Sequence, residues 1–264
     1  MTSPQAPTMH KTDATRAQAL QNILEAAAKP ALPLCGRITP LALKSDDSPV
    51  TQADMDAERV ILDALQKIWP GEAIHSEESG RIGTFSEEQP WWVVDPIDGT
   101  SAFAEGLAHW GPTVARILPS GKIDIGAIYL PRLGEFYLVE NGRASLNGQP
   151  LPMLADTRVA NVVYLPSRFH KYGRLNYRGK GRCLGGSAAH LAGVARGAAE
   201  LAIIAPGWTL WDTAAGIGLI EAVGGRLVRY DGAGFDPIRD EGAAFIAGKS
   251  ETVEDFILHQ RVAI

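Results

Sequence analysis

What this chain has little of narrows its function before any motif is read. It carries 2 cysteines in 264 residues, Cys35 and Cys183, distant from each other and without metal-ligand spacing. That argues against a disulfide framework or a thiolate zinc site and reads as two reduced core residues of a cytoplasmic protein. The 6 histidines are scattered with no His-x-x-x-His pair, so a zinc-hydrolase helix is absent too. No run is long and apolar enough to span a bilayer, and Met1 to Thr12, polar with Pro4 and Pro7, lacks the apolar stretch of a signal peptide. With a formal net charge of −5 and no polybasic run, the balance argues against a nucleic-acid polymer or an anionic membrane as partner. A Walker motif and a Gly-x-Gly-x-x-Gly strand–helix junction are missing, which removes support for nucleoside triphosphate hydrolysis and dinucleotide chemistry.

What is present is a soluble-type composition, 45% hydrophobic, long enough to bury one core or two closely packed halves. Apolar periodicity predicts a helix over about 13–28, stopped by Pro30 and Pro33, and a second over about 53–68, stopped by Pro70-Gly71. Short apolar runs separated by tight turns predict strands at 91–94, 113–118, 123–129 and 135–139, with antiparallel neighbours. Beyond Pro152 the pattern alternates: strands at 159–165, 201–205, 226–230 and 245–247, and helices at 186–197, 213–223 and 251–260. The expected fold class is α/β in the layered α+β sense. The expected sub-domains are 1–150, carrying the main motif, and 151–264, meeting near residue 150.

The most informative segment is Trp92-Val93-Val94-Asp95-Pro96-Ile97-Asp98-Gly99-Thr100-Ser101. A buried strand ends on two carboxylates, Pro96 stiffens the turn between them, and a Gly-Thr-Ser turn opens a helix. Carboxylates held close together repel each other, and a hard divalent cation relieves that repulsion. The amides of Gly99, Thr100 and Ser101 at a helix N-terminus suit a phosphate. Two further acidic sites, Glu77-Glu78 and Asp212, join the reading. Either of them taken alone would be a solvated pair or a helix cap. An all-oxygen donor set points to Mg²⁺, with Mn²⁺ as a substitute.

Other positions keep two readings. Thr51-Gln52-Ala53-Asp54 is a capping box, or Asp54 accepts a hydrogen bond from Thr100 and assists a water nucleophile. Lys44 neutralises acidic charge near the site or is a solvated loop residue. Gly186, Ser187 and Ala188 present backbone amides to a substrate or allow close packing at a helix start. The basic and aromatic stretch 167–181 and Trp208 line a pocket or lie at the surface.

Taken in order, these blocks resemble the inositol monophosphatase superfamily of magnesium-dependent, lithium-sensitive phosphatases, over about Lys44 to Gly225. Asp95-Pro96-Ile97-Asp98-Gly99-Thr100 together with Trp211-Asp212-Thr213-Ala214-Ala215-Gly216 carries the resemblance. It implies alternating layers of helix and sheet, often in a homodimer, and hydrolysis of a small phosphorylated metabolite by metal-activated water. It also implies Glu77, Asp95, Asp98, Asp212 and the Ile97 carbonyl as metal ligands, with Glu78 beside them. Thr100 with Asp54 would assist the water, and Gly99 to Ser101 would hold the phosphate. Inositol-selective members carry a Glu seven residues before the motif Asp, where this chain has Ala205. That departure puts inositol selectivity in question. Ser48-Pro49-Val50-Thr51 with Trp211-Asp212-Thr213 resembles the 3'-phosphoadenosine 5'-phosphate phosphatases, and Leu184 to Ala189 resembles the inositol and histidinol phosphate group, which leaves those as alternative substrates. A catalytically silent binding homologue should have lost an acidic position, and all four are present.

Overall fold

The structure, a computed structural model, describes residues 11–37, 42–43, 49–50, 52–157, 161–259 and 261–263. Lys44, Ser48 and Thr51 lie outside them. Helix α1 (Lys11–Ala31), a 3-10 turn (Leu32–Leu34), strands β1 (Ala42–Leu43) and β2 (Pro49–Val50), and helix α2 (Gln52–Ile68) come first. Strands β3 (Ala73–Ser76), β4 (Gly80–Ile82) and β5 (Trp91–Asp98) precede helix α3 (Thr100–Glu105). Then follow β6 (Gly111–Ile117), β7 (Ile123–Leu130), β8 (Glu135–Glu140), β9 (Arg143–Leu146) and β10 (Gln149–Pro150). The remainder is β11 (Val162–Tyr164), α4 (Phe169–Tyr172), β12 (Arg174–Leu175), β13 (Lys180–Arg182), α5 (Ser187–Ala195), β14 (Leu201–Ile204), α6 (Leu210–Ala222), β15 (Arg226–Arg229), β16 (Phe245–Gly248), α7 (Ser250–Leu258) and β17 (Val262–Ala263).

Two sheets organise these elements. The larger has eight strands in the order β10-β9-β8-β7-β6-β5-β3-β4, and the smaller has five in the order β13-β11-β14-β16-β15. The period-2 alternation of the strands decides which residues meet which layer. In β5, Trp92 and Val94 face α1 and α2, where Leu20, Leu24, Ile61 and Leu65 complete a cluster. Val93 points the other way, toward α5 and α6. In β14, Ala202 and Ile204 face those same two helices, while Leu201 and Ile203 face Val253 and Phe256 of α7. The result is helix, sheet, helix, sheet, helix. The expected layered fold is what the chain adopts.

The central helix pair is buried on nearly every side, which demands small residues. A Cβ on Gly126 of β7 would stand 3.0 Å from the Ala215 backbone of α6, so that strand and helix approach closely only because the position is glycine. One continuous apolar cluster therefore runs from Val93 and Tyr137 through α5 and α6 to Ile204 and Phe245.

Several boundaries differ from expectation. Helix α1 runs through Pro30 to Ala31, with Ala28 and Ala31 buried, although Pro30 gives up its own backbone hydrogen bond and crowds the carbonyl four residues back. Strand β5 does not end at Val94 but continues through the acidic motif to Asp98, with an irregularity between Asp95 and Asp98. Cys35 is a core residue, whereas Cys183 is exposed; both are free. Among the described residues no helix is long and apolar enough to cross a membrane.

Candidate active site

Glu77 and Asp95 are brought together by strand register. Strands β3 and β5 are parallel with Ser76 opposite Val94, and the Glu77 N–H donates to the Val94 carbonyl at 3.1 Å. The next residue on each strand is a carboxylate. They sit at the carboxyl ends of a parallel pair, the place where α/β sheets leave room for ligands. Asp95 is buried, and its Oδ1 accepts the Ile97 N–H at 2.8 Å, which closes the turn around Pro96. Beyond the bulge, pairing resumes with Asp98 opposite Gly111.

Asp98 is held by a different element. Its Oδ1 accepts the Ser187 N–H at 3.1 Å and its Oδ2 accepts the Ala188 N–H at 3.0 Å, both from the first turn of α5. The sequence leaves Gly186, Ser187 and Ala188 either as amides for a substrate or as room for close packing at a helix start, and in the structure these amides make contacts within the fold. The Gly186 N–H is directed to the His109 carbonyl, and the other two amides are taken by Asp98. The physical reason is that first-turn amides lack helical acceptors and a buried carboxylate lacks water. Gly186 itself is needed because a Cβ there would overlap the Asp98 carboxylate. Gly99 is needed as well: it has φ 84°, and a Cβ would stand 2.8 Å from the Gly186 nitrogen.

Asp212 lies at the third position of α6 rather than at its cap, since the helix starts earlier than the sequence suggests. Its Oδ2 accepts from the Thr209 N–H at 2.8 Å and from the Thr209 hydroxyl at 3.1 Å, a capping box that fixes the carboxylate. The next residue back, Trp211, packs edge-on against His75 of β3 with ring centroids 4.8 Å apart, which ties α6 to the strand leading into Glu77.

Electrostatics show these four acids to be one group. Burial pushes the Asp95 carboxyl well above the ordinary carboxylate range, and the charges of Glu77, Asp98 and Asp212 push it further. Asp98 is pushed up by burial first and by Asp212 next, against the pull of the Ala188 and Ser187 amides. Asp54 is fully buried in the first turn of α2. The Thr100 hydroxyl donates to the Ile97 carbonyl at 3.1 Å, so donation to Asp54 competes with that bond. Ser101 is exposed, and Gly99 caps α3 without a side-chain hydrogen bond, leaving the first-turn amides of α3 without a side-chain acceptor there.

The profile of the inositol monophosphatase family matches residues 9–262. The chain belongs to that family. It is 33% identical over 207 residues to a histidinol-phosphatase of Chlorobaculum parvum, covering 72% of this chain and 75% of the relative. It is 32% identical to an inositol-1-monophosphatase of Mesorhizobium japonicum, covering 73% and 76%. Among solved structures, it resembles the extragenic suppressor protein suhB of Bartonella henselae with TM-score 0.80 and 25% identity, over 92% of this chain and 97% of that one. As an inositol monophosphatase family member it is a phosphoric monoester hydrolase.

Members of the inositol monophosphatase family are generally metal-dependent. Among the described residues no group of three or more His, Cys, Asp or Glu side chains is placed so as to hold a metal ion. The fit therefore rests on donor chemistry: four mutually repelling carboxylates, two of them buried, offering only oxygen. That set suits a hard divalent cation. Other expected contributors to the site fall elsewhere. Trp208 is 5% exposed, packs on Phe235 and Phe245, and donates its indole N–H to the Ala243 carbonyl, so it belongs to the core. The stretch 167–181 is not an open loop; it holds α4, β12 and the start of β13, with Phe169 buried and the Tyr177 hydroxyl on Glu200. Ala205 follows β14 directly and is half-buried. One buried acid next to the Glu77-Glu78 turn escaped the sequence reading altogether. Glu58 is buried four residues after Asp54, between Ala57 and Ile61 on the apolar face of α2, and an acid in that stripe was the available signal.

Proposed function

We propose that the chain hydrolyses a small phosphorylated metabolite at this carboxylate group, with Mg²⁺ as the cation and Mn²⁺ able to replace it. The observation that carries the reading is the mutual repulsion among Glu77, Asp95, Asp98 and Asp212 in a buried setting. Burying carboxylates together is costly unless a positive charge joins them. Those four side chains, with the Ile97 carbonyl, would hold the cation. When bound, such a cation lowers the pKa of a water and neutralises charge developing on the phosphoryl oxygens. Gly99, Thr100 and Ser101 would hold the phosphate through the amides of the first turn of α3. Glu78 and the Thr100–Asp54 pair would orient the attacking water and accept its proton. Water oxygen bonds to phosphorus, the ester P–O bond breaks, and a proton ends on the leaving oxygen.

The Thr100–Asp54 assignment has its own test. Thr100→Ala and Asp54→Asn should each lower kcat by about 10²–10⁴-fold, the usual range for assisted proton transfer. Their double mutant should lose much less than the product of the two, because the residues act as one unit. Multiplicative losses would return Asp54 to a purely structural role in the first turn of α2.

We also infer that substrate choice is broad or non-inositol. A carboxylate at position 205 can accept hydrogen bonds from a polyol and a methyl group cannot, so Ala205 gives up that discrimination. The check is kcat/KM for inositol 1-phosphate, histidinol phosphate, 3'-phosphoadenosine 5'-phosphate and simple sugar phosphates, on wild type and Ala205→Glu. Wild type should not favour inositol 1-phosphate, and Ala205→Glu should improve that substrate. A wide wild-type preference for inositol 1-phosphate that Ala205→Glu does not increase would overturn the inference.

A further inference from the structure

Glu58 is 2% exposed, and among the described residues the hydrogen bonds on its carboxylate come from the strand and turn that carry Glu77 and Glu78. Its Oε1 accepts the Ser76 hydroxyl at 2.5 Å, the Glu78 N–H at 3.2 Å and the Ser79 N–H at 3.0 Å. Its Oε2 accepts the Ser79 hydroxyl at 2.5 Å. Three of these donors converge on Oε1 and one on Oε2, and all four belong to the segment 76–79, so the buried carboxylate is committed to holding this turn. Ser76, Glu78 and Ser79 bracket Glu77 on both sides. The backbone of Glu77 is thus fixed by Val94 from β5 and by Glu58 from α2.

We propose that Glu58 is a positioning residue for cation binding: it sets the place of the Glu77-Glu78 pair opposite Asp95 without touching the cation itself. This rests on the reading of Glu77 as a ligand. It goes further in assigning part of the site's cation affinity to a residue outside the ligand set. Groups that orient ligands commonly contribute about 10–100-fold to metal affinity. Glu58 differs from a purely packing residue in that its effect should appear in the affinity for the cation, not only in the melting temperature of the metal-free protein.

The test is Mg²⁺ affinity by titration calorimetry, with Mn²⁺ binding by electron paramagnetic resonance as a second measure, on wild type, Glu58→Gln, Ser79→Ala and Glu77→Gln. Glu58→Gln puts a donor where at least one acceptor is needed and should weaken Mg²⁺ about 10–100-fold. Ser79→Ala removes only the hydroxyl bond to Oε2 and should weaken it less, while retaining the fold. In both, raising Mg²⁺ should restore kcat, and KM for the phosphoester at saturating Mg²⁺ should stay at the wild-type value. Glu77→Gln should weaken Mg²⁺ at least as much and should not be rescued to full kcat. A folded Glu58→Gln with wild-type Mg²⁺ affinity, beside a weakened Glu77→Gln, would overturn the positioning role alone. If Glu58→Gln does not melt cooperatively, unchanged affinity in Ser79→Ala would overturn it instead. Unchanged affinity in Glu77→Gln would remove the ligand reading and this inference together.

Discussion

Asp95→Asn should reduce phosphate release by about 10³-fold or more, because a cation held by carboxylates supplies several kcal/mol of transition-state stabilisation. The fold should survive. Asparagine keeps the shape, and its carbonyl oxygen can still accept the Ile97 N–H that closes the Pro96 turn. What changes is charge. Burial pushes the Asp95 carboxyl well above the ordinary range, and the charges of Glu77, Asp98 and Asp212 push it further. A carboxyl whose folded pKa is raised costs stability above that pKa, and the cost disappears as pH falls toward the unfolded value of about 3.9. The metal-free wild type should therefore gain stability relative to Asp95→Asn as pH is lowered through that window. At neutral pH the metal-free variant should melt a few degrees higher, each kcal/mol being about 2–4 °C in a chain of this size. Thermal melting across pH, paired with phosphate release, checks both halves. A folded variant with near wild-type turnover, or one that melts lower at every pH, would contradict the account.

Much of this was legible because the signals were local. The two-residue period of Trp92-Val93-Val94 separates the cores on the two sides of β5, and the helices expected at 186–197 and 213–223 are found at 187–195 and 210–222. The acidic positions were legible for the same reason, each lying at a strand end or a helix start. What the sequence hid depends on contacts between distant segments. That the Ser187 and Ala188 amides go to Asp98 follows from α5 docking against the end of β5, about ninety residues away in the chain. Glu58 drew no reading from the sequence, and its hydrogen bonds to Ser76 and Ser79 show that it faces inward. Trp208 and the 167–181 stretch misled in the opposite direction. Aromatic and basic residues near a motif suggest a pocket, but Trp208 fills the core beside Phe245 and Tyr177 packs on Phe256. Composition cannot distinguish an aromatic that lines a cavity from one that closes it.

The central claim is that these four carboxylates work with a divalent cation. It is tested most directly by measuring phosphate release from protein stripped of metal with excess chelator, then titrated with Mg²⁺. The expected loss on stripping is essentially complete. Without the cation the acids present only mutually repelling negative charge to an anionic substrate, and nothing else in the group offsets the charge on the transferring phosphoryl. Activity should return on titration with Mg²⁺ or Mn²⁺ and should not return with a monovalent salt at equal ionic strength. The same titration followed by thermal melting should show the metal-free protein stabilised as the carboxylate repulsion is relieved, by an amount that grows with cation concentration. Recovery of turnover and of melting temperature over the same Mg²⁺ range is the predicted result. Undiminished turnover in excess chelator, with no shift in melting on adding Mg²⁺, would contradict it.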